Sequence, residues 1–207
     1  MMGLYTRRIL PYLLDWVMSD PQFAQYRREV LAEVSGDVLE IGFGTGLNLS
    51  YYPEELHHLV AIDANPGMQA LAQKRVQASR ITVDHQVLNG ENLPMSDASF
   101  DSVVSTWTLC SIRDVERALR EIHRVLKPGG RFFFIEHGLS PDPAVQIWQN
   151  RLTPIQKVIA DGCHLNRNIR QLVEAQFEQV TIREFYADKE PKIVGYLYKG
   201  VATKTLV

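Results

Sequence analysis

Hydrophobic and polar positions alternate along this chain with two periods, and each change of period marks the edge of an element. Short β-branched runs fall at Val38–Ile41, Leu59–Asp63, Ile81–Val87, Asp101–Thr106 and Arg131–Glu136. Between them lie stretches with a helical stripe. Met68, Leu71, Ala72 and Val76 share one face behind an Asn65-Pro66 cap. Asp114 opens a second helix with the stripe Val115, Leu119, Ile122 and Leu126, ended by Lys127-Pro128-Gly129-Gly130. This alternation predicts βαβ units, and right-handed crossovers then put helices on both faces of a mainly parallel sheet.

The two ends of the chain depart from that pattern. Residues 4–34 predict two short helices broken near Ser19-Asp20-Pro21, with Asp20 as the N-cap and Pro21 in the first helical position. Residues 144–160 carry the stripe Trp148, Leu152, Ile155 and Ile159, expected to pack inward or else to roof an apolar pocket, with a kink at Pro154. Residues 168–177 carry Ile169, Leu172, Val173 and Phe177. Two further strands, Val180–Tyr186 and Lys192–Lys199, are separated only by the turn residues Asp188 to Pro191, so they must run antiparallel. The expected fold is α/β: a Rossmann-like, doubly wound sheet of seven strands, mostly parallel and closed by an antiparallel hairpin. No repeat or Gly/Ser/Pro-rich linker divides it. Residues 1–207 form one domain, with helices over 1–35, a ligand-binding core over 36–138, a lid and helix insert over 139–178 and the hairpin over 179–207.

Composition narrows the function classes. The 207 residues are 45% hydrophobic and 22% charged, enough for a packed core. Lys and Arg number 22 against 24 Asp and Glu, a net charge of -2, which argues against a general nucleic-acid binder. Two cysteines, Cys110 and Cys163, are too few for a disulfide-dense secreted scaffold. No apolar run approaches the roughly 20 residues a membrane span needs. Arg7 and Arg8 precede only a short apolar stretch broken by Pro11 and Asp15, unlike a signal peptide, so a cytoplasmic protein is expected.

Chemistry is concentrated at the ends of the predicted strands. Glu40-Ile41-Gly42-Phe43-Gly44-Thr45-Gly46 closes the first, where glycines let the backbone turn sharply and approach a ligand. The G-x-G-x-G spacing differs from the G-x-G-x-x-G of dinucleotide folds. Glu40 would repel a pyrophosphate but suits a ligand carrying an ammonium or sulfonium. Asp63 ends the next strand, where a carboxylate accepts from both hydroxyls of a ribose lacking a 2′-phosphate. Asn89-Gly90-Glu91-Asn92-Leu93-Pro94 follows the third strand as a polar turn able to read an adenine edge.

The ordered set E-I-G-F-G-T-G, A-I-D-A-N-P, G-E-N-L-P-M, S-F-D-S-V-V-S-T and R-V-L-K-P-G-G-R, spread over residues 37–136, resembles the class I S-adenosylmethionine-dependent methyltransferases, and more narrowly the type 11 methyltransferase family. The resemblance implies S-adenosylmethionine as cofactor and S-adenosylhomocysteine as product. It places Glu40, Gly42, Gly44, Gly46 and Thr106 beside the methionine part, Asp63 at the ribose, and Asn89, Gly90 and Glu91 at the adenine. Many members have Asp-Ala where Asn89-Gly90 stands. The segments W-T-L-C-S-I, F-F-F-I-E-H and A-D-G-C-H-L look like the subgroup of small-molecule thiol S-methyltransferases of membranes, which carry an N-terminal hydrophobic anchor. Here only two short helices precede the sheet, so stable membrane insertion is not expected. They resemble a cap over cofactor and substrate, with an interfacial membrane helix as the rival reading. Their four arginines and four acidic residues would give little attraction to anionic lipid.

Methyl transfer from a sulfonium is an in-line displacement in which the protein aligns the groups and excludes water. A thiol, with an ordinary pKa of about 8.5, needs modest help; a phenol or alcohol needs a base. Glu136, His137, Asp161 and His164 are the candidates, His137 first as base or substrate-orienting group and Asp161 second. Cys110 and Cys163 lack the spacing of a zinc site, and Cys110 reads as a small apolar residue near the cofactor. The six histidines show no ligand spacing, so no metal is expected. Trp107 could stack near the sulfonium, although a core aromatic is the more frequent outcome. The expectation is a methyltransferase for a small, partly apolar acceptor, sulfur first. Quinone or phospholipid methylation and a non-catalytic S-adenosylmethionine-binding module are the alternatives. A nicotinamide-dependent oxidoreductase is weighed against by the glycine spacing and the terminal hairpin.

Overall fold

The computed structural model describes residues 4–206. Seven strands, β1 (Val38–Ile41), β2 (His58–Asp63), β3 (Thr82–Val87), β4 (Phe100–Thr106), β5 (Leu126–His137), β6 (Gln179–Tyr186) and β7 (Tyr196–Thr203), form one sheet in the order β3-β2-β1-β4-β5-β7-β6. The first five pair in parallel, and β7 runs antiparallel to both β5 and β6. The helices are α1 (Leu4–Arg8), α2 (Leu10–Met18), α3 (Pro21–Leu31), α4 (Gln69–Ala78), α5 (Val115–Val125), α6 (Pro143–Ile159) and α7 (Ile169–Glu174).

Alternation along the strands builds two cores. Leu39, Val103, Phe132 and Phe134 point to one face and pack with Leu119 and Ile122 of α5 and Ile169 and Val173 of α7. Val38, Val104, Phe133 and Ile135 point to the other and meet Val30 and Leu31 of α3 and Ala72 of α4. Strand order reverses between β1 and β4, which opens a crevice beyond their carboxyl ends.

Four boundaries differ from the expectation. The N-terminal segment makes three helices: Asp20 caps α3 through the Gln22 N–H at 2.9 Å as predicted, but the chain also breaks at Ile9, ahead of Pro11. Asn65 caps the turn before α4, accepting from the Gly67 N–H at 2.9 Å, and the helix begins after Met68. Lys127 to Gly130 belong to β5, whose pairing slips between Phe100 and Ser102 to absorb the Gly-Gly bulge. The last strand begins at Tyr196 rather than Lys192, because Val194 and Gly195 donate back to the Pro191 carbonyl and fold that segment into a turn. The α6 stripe is also reversed. Trp148, Ile155 and Ile159 are exposed, and the buried face is Val145, Gln149 and Thr153.

Candidate active site

A cavity of about 550 Å³ lies at the carboxyl ends of β1, β2 and β4, and the glycine loop forms its floor. Gly42, Gly44 and Gly46 have φ of 80°, 55° and 79°, the left-handed region that side chains disfavour. A Cβ on Gly42 would lie 1.9 Å from Thr108 Oγ1, so that position is closed by packing. A Cβ on Gly44 would meet nothing nearer than 4.0 Å, so its backbone faces the cavity bare. Gly46 makes the turn into the short 3-10 helix Leu47–Ser50 and is not on the cavity wall.

Asp63, on the wall at the end of β2, accepts from the Gly44 N–H at 2.8 Å and the Asn65 N–H at 2.7 Å. Burial pushes its pKa up, and those two N–H groups pull against it. Glu40 is 1% exposed and does not reach the wall. It accepts from Tyr52 Oη at 2.7 Å and Asn48 Nδ2 at 2.8 Å, and burial raises its pKa to about 7 against both bonds. The same Asn48 amide donates to Thr106 Oγ1 at 3.0 Å, and Asn48 Oδ1 accepts from Arg27 Nε at 3.0 Å. Asn48 and Arg27 both line the cavity and carry the influence of Glu40 to it. Neither was legible in the sequence; the only signal was an amide set between Leu47 and Leu49. The Arg27 guanidinium lies 4.9 Å from the centre of the Trp107 ring, so the indole, read as a core aromatic first and a sulfonium partner second, already holds a cation.

Asn89, Gly90 and Glu91 line the cavity beside the apolar Ile62, Leu88 and Ile112. Asn89 Oδ1 accepts from the Glu91 N–H at 2.9 Å, and Glu91 Oε1 from the Asp114 N–H at 3.0 Å. These side chains brace the loop, and the slot beside it suits a flat apolar ring.

The four catalytic candidates divide between the cavity wall and positions away from it. His137 and Asp161 line the cavity, whereas Glu136 and His164 do not. Glu136 is fully buried and accepts from Ser105 Oγ at 2.9 Å and from the N–H groups of Thr108 and Leu109 at 2.9 and 3.0 Å, so it holds the loop after β4. Asp161, with φ of 48°, accepts from Asn65 Nδ2 at 3.1 Å, which ties the segment after α6 to the turn after Asp63. His137 Nε2 lies 2.8 Å from Cys163 Sγ, and Cys110 completes a cluster whose three donor atoms fall within 4.8 Å of one another. The sequence reading kept these three apart. A hydrogen bond from Cys163, together with His137, holds the Cys110 thiol well below its ordinary pKa against the effect of burial.

Helices roof the cavity: Leu14, Asp15, Val17 and Met18 of α2, Phe23 and Arg27 of α3, and Gln156 near the end of α6. Asp15 latches α2 to the glycine loop, accepting from Thr45 Oγ1 at 2.5 Å and Arg75 Nη1 at 2.8 Å. The outer side of this roof leaves Trp16, Tyr12, Ile155 and Val158 exposed.

The doubly wound sheet with a reversed seventh strand, the bare glycine backbone and the carboxylate at the end of β2 together define a class I methyltransferase. Comparison with known proteins agrees. A family model described as a methyltransferase domain matches residues 39–134. Human thiol S-methyltransferase TMT1A is 34% identical over 96% of this chain and 90% of its own, and the Rattus norvegicus thiol S-methyltransferase TMT1B is 38% identical over 83% and 76%. A demethylmenaquinone methyltransferase of Symbiobacterium thermophilum is 33% identical over 59% of this chain and 53% of its own. Among solved structures, a Haemonchus contortus phosphoethanolamine N-methyltransferase 2 bound to S-adenosylhomocysteine superposes with a TM-score of 0.73 at 15% identity, over 94% of this chain and 57% of that one. Bacillus subtilis YcgJ gives 0.67 at 17% identity, over 88% and 99%. The chain belongs to the S-adenosylmethionine-dependent methyltransferases. Its residues fit that cofactor: the Asp63 carboxylate and the bare Gly44 backbone line the cavity, as does Asn48, which the buried Glu40 holds. Among the described residues no helix is long and apolar enough to cross a membrane.

Proposed function

We propose that this enzyme methylates a small, partly apolar thiol. The observation that carries the reading is the stretch of cavity wall where two buried cysteines, Cys110 and Cys163, gather around His137, a sulfur-rich surface beside one imidazole. The similarity to thiol S-methyltransferases over most of the chain supports it. Asp63 takes the ribose hydroxyls, the backbone at Gly42 and Gly44 and the side chain of Thr106 flank the methionine part, and the loop Asn89-Gly90-Glu91 borders the adenine. Glu40 acts through Asn48. When bound, S-adenosylmethionine supplies a sulfonium methyl whose bond to sulfur breaks as the acceptor sulfur bonds to carbon. His137 orients the acceptor sulfur. Asp161 is a positioning residue, since its bond to Asn65 draws the lid over the nucleoside turn. The roof of α2, α3 and α6 excludes water from the transfer. The exposed Trp16, Ile155 and Val158 favour an apolar acceptor arriving over that side. We place the enzyme in the cytoplasm, where two unpaired thiols stay reduced. The net charge of -2 favours a small-molecule partner over a nucleic acid.

The test is transfer of labelled methyl to small alkyl thiols, demethylated quinols and phosphatidylethanolamine. Label on the thiols is the expected result. Label confined to quinols or to the lipid amine overturns the thiol reading, and bound cofactor with no transfer to any acceptor would mark a non-catalytic module.

A further inference from the structure

We propose that Cys110, His137 and Cys163 form a divalent metal site of zinc type, and that its cavity-facing position takes the acceptor sulfur. The second clause rests on the thiol reading above; metal binding does not.

The donors come from three separate segments: the loop after β4, the end of β5 and the connection between α6 and α7. Each offers one ligand atom, and the three atoms lie within 4.8 Å of one another. Zinc–sulfur bonds of about 2.3 Å and zinc–nitrogen bonds of about 2.0 Å at tetrahedral angles require donor separations of roughly 3.5–3.8 Å. The 2.8 Å between His137 Nε2 and Cys163 Sγ is the spacing of a hydrogen bond and shorter than that range, so binding the ion requires a side-chain rotation that separates the two donors by about 0.7 Å. The protein holds the donors in place. Glu136 grips the N–H groups of Thr108 and Leu109, the Cys110 carbonyl accepts from the His164 N–H at 2.9 Å, and the Cys163 N–H donates to Ala160 at 3.1 Å.

Donor chemistry selects the ion. Two thiolates and an imidazole are soft ligands that suit zinc and reject magnesium and calcium. Two thiolate charges neutralise a divalent ion, so the buried cluster carries no net charge when loaded. Three protein ligands with one side open is the pattern of a reactive rather than a structural zinc site. Here that side is set by the cavity, because all three residues line it together with Thr106 and Trp107.

The consequence for the reaction is a nucleophile prepared without a base. A thiol that binds the metal gives up its proton to the water it displaces, because coordination to the ion deprotonates it. The sulfur lone pair then forms the bond to the methyl carbon, and the electron pair of the broken bond stays on the donor sulfur. Both products are neutral thioethers. A thioether is a poor zinc ligand, so the methylated product leaves and water returns. His137 therefore orients the acceptor sulfur as a ligand of the ion.

The experiment uses the full chain purified under a phosphine reductant without chelator. Elemental analysis is expected to give about one zinc per chain. Cobalt(II) in its place should show the visible bands of a tetrahedral site and near-ultraviolet thiolate charge transfer. Both should shift when propanethiol is added with S-adenosylhomocysteine present. Cys110→Ser and Cys163→Ser should lose the metal, with melting and S-adenosylhomocysteine titration as folding controls. Stripping the wild-type protein with phenanthroline keeps the test valid if either variant fails to fold; thiol methylation should be lost and return with zinc. Metal-free wild-type protein that still methylates thiols overturns the acceptor's place on the ion and leaves the thiol reading standing. A chain isolated metal-free with both thiols reduced, and taking up neither zinc nor cobalt, overturns the site itself. Metal-loaded protein that methylates no thiol overturns the thiol reading and leaves the metal site. A cobalt spectrum unmoved by propanethiol overturns the acceptor's place on the ion.

Discussion

Gly42 and Gly44 stand two positions apart in one loop, yet a methyl group added to each has a different fate. At Gly42 it would drive into Thr108, at Gly44 into the cavity. Both substitutions meet the left-handed backbone cost of about 1–2 kcal/mol. Gly42→Ala adds a collision with fixed side-chain atoms and should lower the melting temperature sharply. Gly44→Ala should melt only slightly below wild type and lose S-adenosylhomocysteine binding, read by calorimetric titration. Equal melting of the two variants would contradict this division. Glu40 gives a pH prediction. Burial raises its pKa from 4.5 to about 7 in the folded protein. The folded state therefore holds a proton that the unfolded chain releases, and this contribution to stability is present below 4.5 and lost as pH rises through 7. Cofactor-free protein should melt progressively lower between those limits, and Glu40→Gln should make the slope shallower.

At the scale of elements, the Asp15 latch separates stability from binding. The ion pair with Arg75 is partly exposed, with side-chain exposures of 32% and 24%, so Asp15→Ala should cost no more than about 1 kcal/mol in melting. The same change frees α2 from Thr45, and the KM for S-adenosylmethionine should rise several-fold with less effect on kcat. A large loss of stability with an unchanged KM would remove α2 from the roof. Elements also set the limit of what the sequence tells. Gly42, Gly44 and Asp63 could be placed at one cavity from the sequence because each sits at the end of a strand, and Gly46, one step into the next turn, falls off the wall. The α6 stripe was misread because periodicity identifies an apolar face without saying whether anything covers it. The buried face is organised by Gln149 instead, which accepts from the Ser140 N–H and donates to the Gly138 and Ile193 carbonyls. The Cys110–His137–Cys163 cluster was invisible for a related reason: no local spacing links its members, and only the sheet brings them together.

For the whole molecule, the controlling feature is that β7 lies between β5 and β6. Seven residue pairs, Arg131↔Thr203 through His137↔Leu197, join it to β5, and it carries β6 on its other side. A chain ending at Gly195 should therefore lose cooperative melting and S-adenosylhomocysteine binding together, although every residue assigned to the cofactor remains in it. Retained binding in that truncation would show that the parallel strands fold as an independent unit. Synthesis proceeds in one direction, so while the glycine loop and His137 emerge early, one long hydrogen-bonding border of β5 stays uncovered until the strand that belongs there is made. A ribosome that stalls before β7 is made would release a sticky, inactive product instead of a working enzyme. The fold thus ties catalytic competence to completed translation.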